Sequence, residues 1–156
     1  YNVDFIEIET ALEMKKEIQK IAADQNMIIM SAAVSDFRPE TRYDKKIKKD
    51  KFKRQLSLDS NPDILKTLGE NKTDDQIIVG FAAETEALIE NAQKKLKEKN
   101  LDMIVANDIS RSEIGFSADE NEVTLLTNND KKYITQKSKE KIGEILIKEI
   151  YNIFYK

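Results

Sequence analysis

The run Met27-Ile28-Ile29-Met30-Ser31-Ala32-Ala33-Val34 leaves this chain few choices of fold. It is apolar without the alternation of a half-buried strand. It therefore reads as a strand from Met27 to Ala33 buried on both faces, as in a parallel sheet covered by helices. The run closes on small residues, then Asp36, then an Arg38-Pro39 stop, and Lys45, Lys46, Lys48 and Lys49 follow within loop reach. Open α/β sheets bind ligands beyond the carboxyl ends of their strands. One carboxylate and a mobile set of ammonium groups at that place suit a Mg²⁺-bound polyphosphate.

Similar signals recur along the chain. Val3 to Ile8 reads as a short strand, and Thr10 with Glu13 as a capping box opening a helix to about Gln25, with Leu12, Ile18, Ile21 and Ala22 on its apolar side. Strand, helix and the Met27 strand would form a right-handed β-α-β unit. Residues 38–54 are densely basic, bury no face and read as a mobile flap. Gln55 to Leu58 is a candidate short strand. Asn61-Pro62-Asp63 reads as a helix start with Asn61 as N-cap, the helix running to about Leu68 and stopping at Gly69. Gln76 to Phe81 and Leu101 to Val105 are two further buried strands, separated by a helix from about Thr85 to Lys99. Glu122 to Thr127 and Lys131 to Thr135 flank an Asn128-Asn129-Asp130 turn, a hairpin signal. A last amphipathic helix from about Ser138 to Tyr155 gathers Ile142, Ile145, Leu146, Glu149, Ile150 and Ile153 near one side. The expectation is one α/β domain over residues 1–156, mainly parallel with helices on both faces, closed by a hairpin and a helix. The opening on Tyr1, without an initiator Met, reads as a piece of a longer protein.

Composition narrows the chemistry. With 26 basic and 29 acidic residues the formal charge is -3, so global attraction to nucleic acid or an anionic membrane is not expected, and an anion site must come from local clustering. No stretch approaches the ~20 apolar residues of a transmembrane helix, and neither a membrane span nor a signal peptide is expected. The chain holds no Cys and no His. That excludes disulfides, thiolate or Cys-zinc sites, and Ser-His-Asp or Cys-His catalysis. Any metal should be a hard cation on oxygen. A cytoplasmic setting is compatible with this.

Each candidate residue has a plainer alternative. Asp36 could contact a nucleotide hydroxyl, base or Mg²⁺, or be an ordinary turn acid. The lysines of the flap could neutralise a triphosphate, bind RNA or simply be solvated; for RNA, aromatic partners are few beyond Tyr43 and Phe52. Lys95 and Lys99 share a helix face, which surface lysines also do. Gly80-Phe81-Ala82-Ala83-Glu84-Thr85 reads as a strand-to-loop junction where Gly80 allows close approach and Phe81 stacks on a base or ribose, or as a tight packing step. With Asn107-Asp108 ending the next strand, three junctions fall on one sheet edge. Neither Gly-x-Gly-x-x-Gly nor a Walker-type loop occurs.

Taken in order, these segments resemble the phosphopantothenoylcysteine synthetase domain of coenzyme A biosynthesis. The matching pieces are Thr10-Ala11-Leu12-Glu13-Met14, Ala32 to Pro39, Lys46-Ile47-Lys48-Lys49, Asn61-Pro62-Asp63-Ile64-Leu65 and Val79 to Thr85. Lys95, Lys99, Asn100-Leu101-Asp102, Ala106-Asn107-Asp108 and Gly115-Phe116 complete the set. The resemblance spans nearly the whole chain and implies a Rossmann-like homodimer, often fused behind a flavin-dependent decarboxylase, FMN belonging to that half only. It implies a CTP-dependent ligation: the carboxylate of 4'-phosphopantothenate attacks the α-phosphate, pyrophosphate leaves, and the amine of cysteine displaces CMP from the acyl-cytidylate. By the same resemblance Asp36 contacts cytidine and metal, and Lys46 acts in catalysis. Phe81 and the turn Pro62, Asp63, Ile64 and Leu65 border the nucleotide, Lys95 and Lys99 hold phosphates, and Ala32 lines the strand end. Nucleotidyl transfer asks for positioning and charge neutralisation more than a protein nucleophile, so a site without His or Cys suffices.

The sequence departs from the family in lacking its Ser-Asn-x-Ser-Ser-Gly-Lys-type phosphate loop, which belongs upstream of residue 1. Weak or no turnover is the expectation for the isolated chain. The alternatives are a catalytically silent nucleotide-binding or dimerisation module, and an RNA-binding domain built on residues 38–54. Selective CTP binding would exclude the latter, and preference for CTP over ATP does not follow from the residues alone.

Overall fold

The central strands form where the chain is most apolar, and a computed structural model shows what each strand pairs with. It describes residues 3–43, 45–48, 55–109 and 119–155. In chain order the elements are α1 (Ala11–Ile21), β1 (Met27–Met30), β2 (Phe37–Pro39), β3 (Leu58–Ser60), α2 (Ile64–Asn71), β4 (Ile77–Glu84), α3 (Leu88–Glu98), β5 (Met103–Asp108), β6 (Glu120–Leu126), β7 (Lys131–Ser138) and α4 (Lys139–Phe154). They fall into two compact units, Tyr1–Ala23 with Ala33–Ile64, and Asp24–Ala32 with Leu65–Lys156.

The larger unit holds a five-stranded sheet in the order β1-β4-β5-β6-β7. β1, β4 and β5 are parallel, and the β6-β7 hairpin extends them antiparallel. This is the expected Rossmann-like α/β arrangement. Alternation along the strands builds two apolar layers. Ile77, Val79, Met103, Val105, Val123, Leu125 and Ile134 pack with Ile142, Leu146 and Ile150 of α4. On the other face Ile78, Ile104 and Ala106 meet α3, whose Ala92 and Leu96 are buried. The hairpin turn forms as its sequence suggests, Thr127 Oγ1 accepting from the backbone N–H of Asp130 at 3.0 Å. Ser138 caps α4, accepting from Lys141 N–H at 3.2 Å. Ile153, expected on the apolar side, is exposed, while Phe154 packs against the core.

Asn100-Leu101-Asp102 is a structural joint. α3 ends in a Schellman motif: Asn100 N–H donates to Lys97 O, and Leu101 N–H to Leu96 O at 2.9 Å. Asn100 has φ 50°, a left-handed conformation that Asn tolerates, and its amide donates to Gly69 O at 2.8 Å. Asp102 then ties β5 to β4, one carboxylate oxygen accepting from Ile78 N–H at 2.7 Å and the other pairing with Lys72 at 2.7 Å. Asp102→Ala strands a buried N–H and a half-buried ammonium, so we expect a loss of about 2 kcal/mol in denaturant unfolding, with Asp102→Asn milder.

Within the smaller unit, Thr10 and Glu13 form the expected capping box at the start of α1. Backbone N–H groups of Glu9 and then Thr10, donating to Glu13, hold its carboxyl below the usual value. A lowered folded value means the cap's contribution is complete above the ordinary glutamate pKa and is lost as pH falls through the lowered one. An NMR titration should therefore show Glu13 protonating below the ordinary glutamate value, together with fraying of α1's first turn. β2 and β3 pair antiparallel, with Phe37 opposite Ser60 and Pro39 opposite Leu58. This ribbon forms the base of the expected flap. It replaces the strand expected at Gln55 to Leu58, and it places a strand where Arg38-Pro39 read as a stop.

Three other expectations are corrected. Val3 to Ile8 forms no strand and Phe5 is 87% exposed, because no described residue offers that run a ladder; the expected β-α-β unit is therefore not formed. Among the described residues β1 stands at the edge of the sheet beside β4, ends at Met30 rather than Ala33, and is only partly covered. In the smaller unit, α1 buries no residue. Finally, α2 starts at Ile64 and runs through Gly69 to Asn71, so Asn61 is not its N-cap and Gly69 not its stop.

Candidate functional site

Because β1, β4 and β5 are parallel, their carboxyl ends lie along one edge of the sheet. Ala32 follows β1 there and is exposed. The segment expected to be a strand-to-loop junction, Gly80 to Glu84, is strand throughout. Gly80 serves packing: a Cβ there would lie 2.7 Å from Leu65 Cδ2 and 2.9 Å from Leu101 Cδ1. Phe81 stands in mid-strand opposite Val105, about one third exposed. At the end of β4, Glu84 is in register with Asp108, and Ala83 with Asn107. Asn107 Oδ1 is a buried acceptor without a hydrogen-bond partner among the described residues.

α3 starts after this edge and runs back toward the amino ends of β4 and β5, where its last turn meets Gly69. It begins after Ala87, which takes φ 48° and makes no side-chain cap. Lys95 reaches back to β4 and pairs with Glu84 Oε1 at 2.6 Å. Lys99 is the C-cap residue of α3 and half-buried. Lys94, by contrast, pairs with Glu98 on the same helix, 3.8 Å away and exposed.

In the smaller unit, two segments far apart in sequence are latched together. Asn61 N–H donates to Asp36 O at 2.8 Å, and its side-chain amide donates to Ser35 O at 2.8 Å. Its Oδ1 faces Arg38, which also donates to Ser60 O and pairs with Asp59 at 3.1 Å. Ser35 Oγ, donating to Phe37 O at 3.0 Å, tightens the same turn. Asp36 thus sits in a fixed bend at the head of β2 with its carboxylate exposed, and Pro62 and Asp63 are held beside it. Asn61, read as a helix cap, instead fastens this turn. Ile64 and Leu65 are buried, so what they can offer a ligand is backbone.

Lys45, Lys46 and Lys48 are exposed and irregular, with Ile47 half-buried between them. Lys49, Phe52, the rest of the flap and Gly115-Phe116 lie outside the described residues. Arg38, Asn61, Glu84 and Asn91 were not singled out as site residues. Only Glu84 carried a readable signal, an acid closing a strand ahead of a helix with Lys95 on its inner side.

The chain belongs to the DNA/pantothenate metabolism flavoprotein C-terminal domain family, which matches residues 1–154. Among known proteins it is similar to coenzyme A biosynthesis bifunctional proteins CoaBC. It is 45% identical to that of Bacillus subtilis over 122 residues, covering 78% of this chain and 30% of the relative. It is 39% identical to that of Borreliella burgdorferi over 151 residues, 96% of this chain and 38% of the relative. The chain thus spans about a third of these relatives' length. The solved C-terminal domain of a CoaBC protein superposes with a TM-score of 0.74 at 33% identity, covering 93% of this chain and 63% of that one. Among the described residues no helix is long and apolar enough to cross a membrane.

Proposed function

We propose that this chain is the ligase part of a coenzyme A biosynthesis enzyme, joining 4'-phosphopantothenate to cysteine at the expense of CTP. The observation that carries the proposal is the 45% identity to the Bacillus subtilis CoaBC protein. Asp36 latched beside Pro62 and Asp63, and Lys95 at a sheet's carboxyl edge, are consistent with it.

In this reading the carboxylate of phosphopantothenate attacks the α-phosphate of CTP, pyrophosphate departs, and the amine of cysteine displaces CMP to form the amide. Two anions must meet, so charge neutralisation dominates the barrier. Lys46 supplies it from the flap as a point charge, while Lys95 and Lys99 hold the leaving phosphates. Phe81 and the turn from Pro62 to Leu65 border the nucleotide, and Ala32 leaves room at the strand end. Asp36 contacts cytidine and takes one position on Mg²⁺. No group of three or more acidic residues among those described could cage a metal alone. One carboxylate fits Mg²⁺, which keeps waters and takes its other ligands from substrate phosphates; bound there, it would neutralise phosphate charge. The working enzyme is a homodimer in this proposal.

The test is product analysis. With phosphopantothenate, cysteine, CTP and Mg²⁺, the full-length enzyme should release one CMP per amide formed, and far less nucleotide monophosphate from ATP. Amide formation equal with ATP, or CMP release independent of the acid, would overturn the proposal.

A further inference from the structure

Lys95 pairs through its ammonium with Glu84, the last residue of β4, and that partner is held on both oxygens. Glu84 Oε1 takes Lys95 Nζ at 2.6 Å; Oε2 takes the Asn91 side-chain amide at 3.3 Å. Asn91 is one turn before Lys95 on α3, and the same amide also donates to Glu86 O at 3.1 Å. The Glu84 carbonyl accepts from Ile109 N–H at 3.0 Å, fixing the strand end itself. The Glu84 side chain is 16% exposed and that of Lys95 is 42% exposed. The acid is thus walled in while the ammonium remains open to an incoming ligand. A lysine side chain carries about 2 kcal/mol of rotamer entropy, which a phosphate must otherwise overcome on binding. An anchored ammonium has lost that freedom before the nucleotide arrives, and its remaining N–H groups point away from the carboxylate.

We propose that Glu84, buttressed by Asn91, is a positioning residue that fixes the Lys95 ammonium for the phosphates of the nucleotide. The proposal rests on the reading of Lys95 as a phosphate ligand given above. It is directional: removing the acid should weaken nucleotide use although the site becomes more positive.

A double-mutant cycle on the full-length enzyme tests it. Lys95→Ala should raise KM for CTP by about tenfold or more, and Glu84→Ala by about tenfold, with smaller changes in kcat. The double variant should match Lys95→Ala within about twofold, because the acid acts only through the lysine. Glu84→Gln keeps an acceptor for the ammonium and should recover most of the affinity, which a purely structural role of the carboxylate charge would not predict. If Lys95→Ala leaves KM unchanged, the phosphate role and this inference fall together. If Lys95→Ala raises KM while Glu84→Ala leaves it unchanged, lowers it, or adds its full effect in the double variant, only the positioning inference falls.

Discussion

Gly69→Ala should destabilise the larger unit by about 3 kcal/mol, the range of overpacking at a site that cannot yield. Gly69 lies inside α2, where the chain passes directly over the Schellman turn that ends α3. A Cβ built on it would overlap the Lys99 carbonyl oxygen, with the carbonyl carbon at 2.9 Å and the Asn100 oxygen at 3.2 Å. The obstacle is backbone, held in turn by the Asn100 amide bonded to Gly69 O. No rotamer change relieves it, so α2 has to move off the sheet and open Leu65 and Leu68 to water. Gly143 is the internal control. Nothing lies within 4 Å of a Cβ there, inside α4. Gly143→Ala should therefore stabilise by about 0.5–1 kcal/mol, the helix-propensity difference alone. Urea unfolding of both variants measures the contrast.

Lys46→Ala is expected to have the largest effect on turnover, lowering kcat by about 100-fold or more while leaving the melting temperature unchanged. The side chain is exposed on irregular chain, so its removal forfeits no packing. What it forfeits in the proposed reaction is a cation where negative charge accumulates, and single donors of that kind are worth about 10²–10³ in rate. Lys46→Arg keeps the charge but replaces a compact ammonium with a planar fork, so only partial recovery is expected. Lys45→Ala, on the neighbouring exposed residue, should have little effect. Steady-state kinetics of the three variants beside their thermal unfolding separates charge placement from folding.

Local signals in the sequence were the reliable ones. The box of Thr10 and Glu13 and the turn at Asn128-Asn129-Asp130 each close within a few residues, and each formed as read. β4 and β5 were legible because both their faces are covered, which demands apolar residues without alternation. The same pattern misled at β1, whose Met27–Met30 run is equally apolar but stands at a sheet edge. Val3 to Ile8 failed for a related reason: a strand is a property of a pair, and one sequence segment cannot report whether its partner is there.

Asn61 and Gly69 were misread through tertiary context. Asn-Pro-Asp is a good helix opening, yet the Asn61 amide found Ser35 O, distant in sequence, and helix α2 started later. A glycine near a helix end suggests a stop, but Gly69 is required by a neighbouring turn. For the candidate site, residue type and order pointed to Asp36, Lys46, Lys95 and Lys99. The groups that hold them, Asn61 for Asp36 and Glu84 with Asn91 for Lys95, are long-range pairings that no spacing rule announces.

Nucleotide recognition in the proposed reaction turns on Asp36, and a calorimetric titration of CTP in Mg²⁺ against ATP, repeated on Asp36→Asn, tests it most directly. The expected result is selective, stoichiometric CTP binding that weakens at least about tenfold in Asp36→Asn, an isosteric change that removes the charge. Equal binding of CTP and ATP, or CTP binding unaltered by Asp36→Asn, would contradict it.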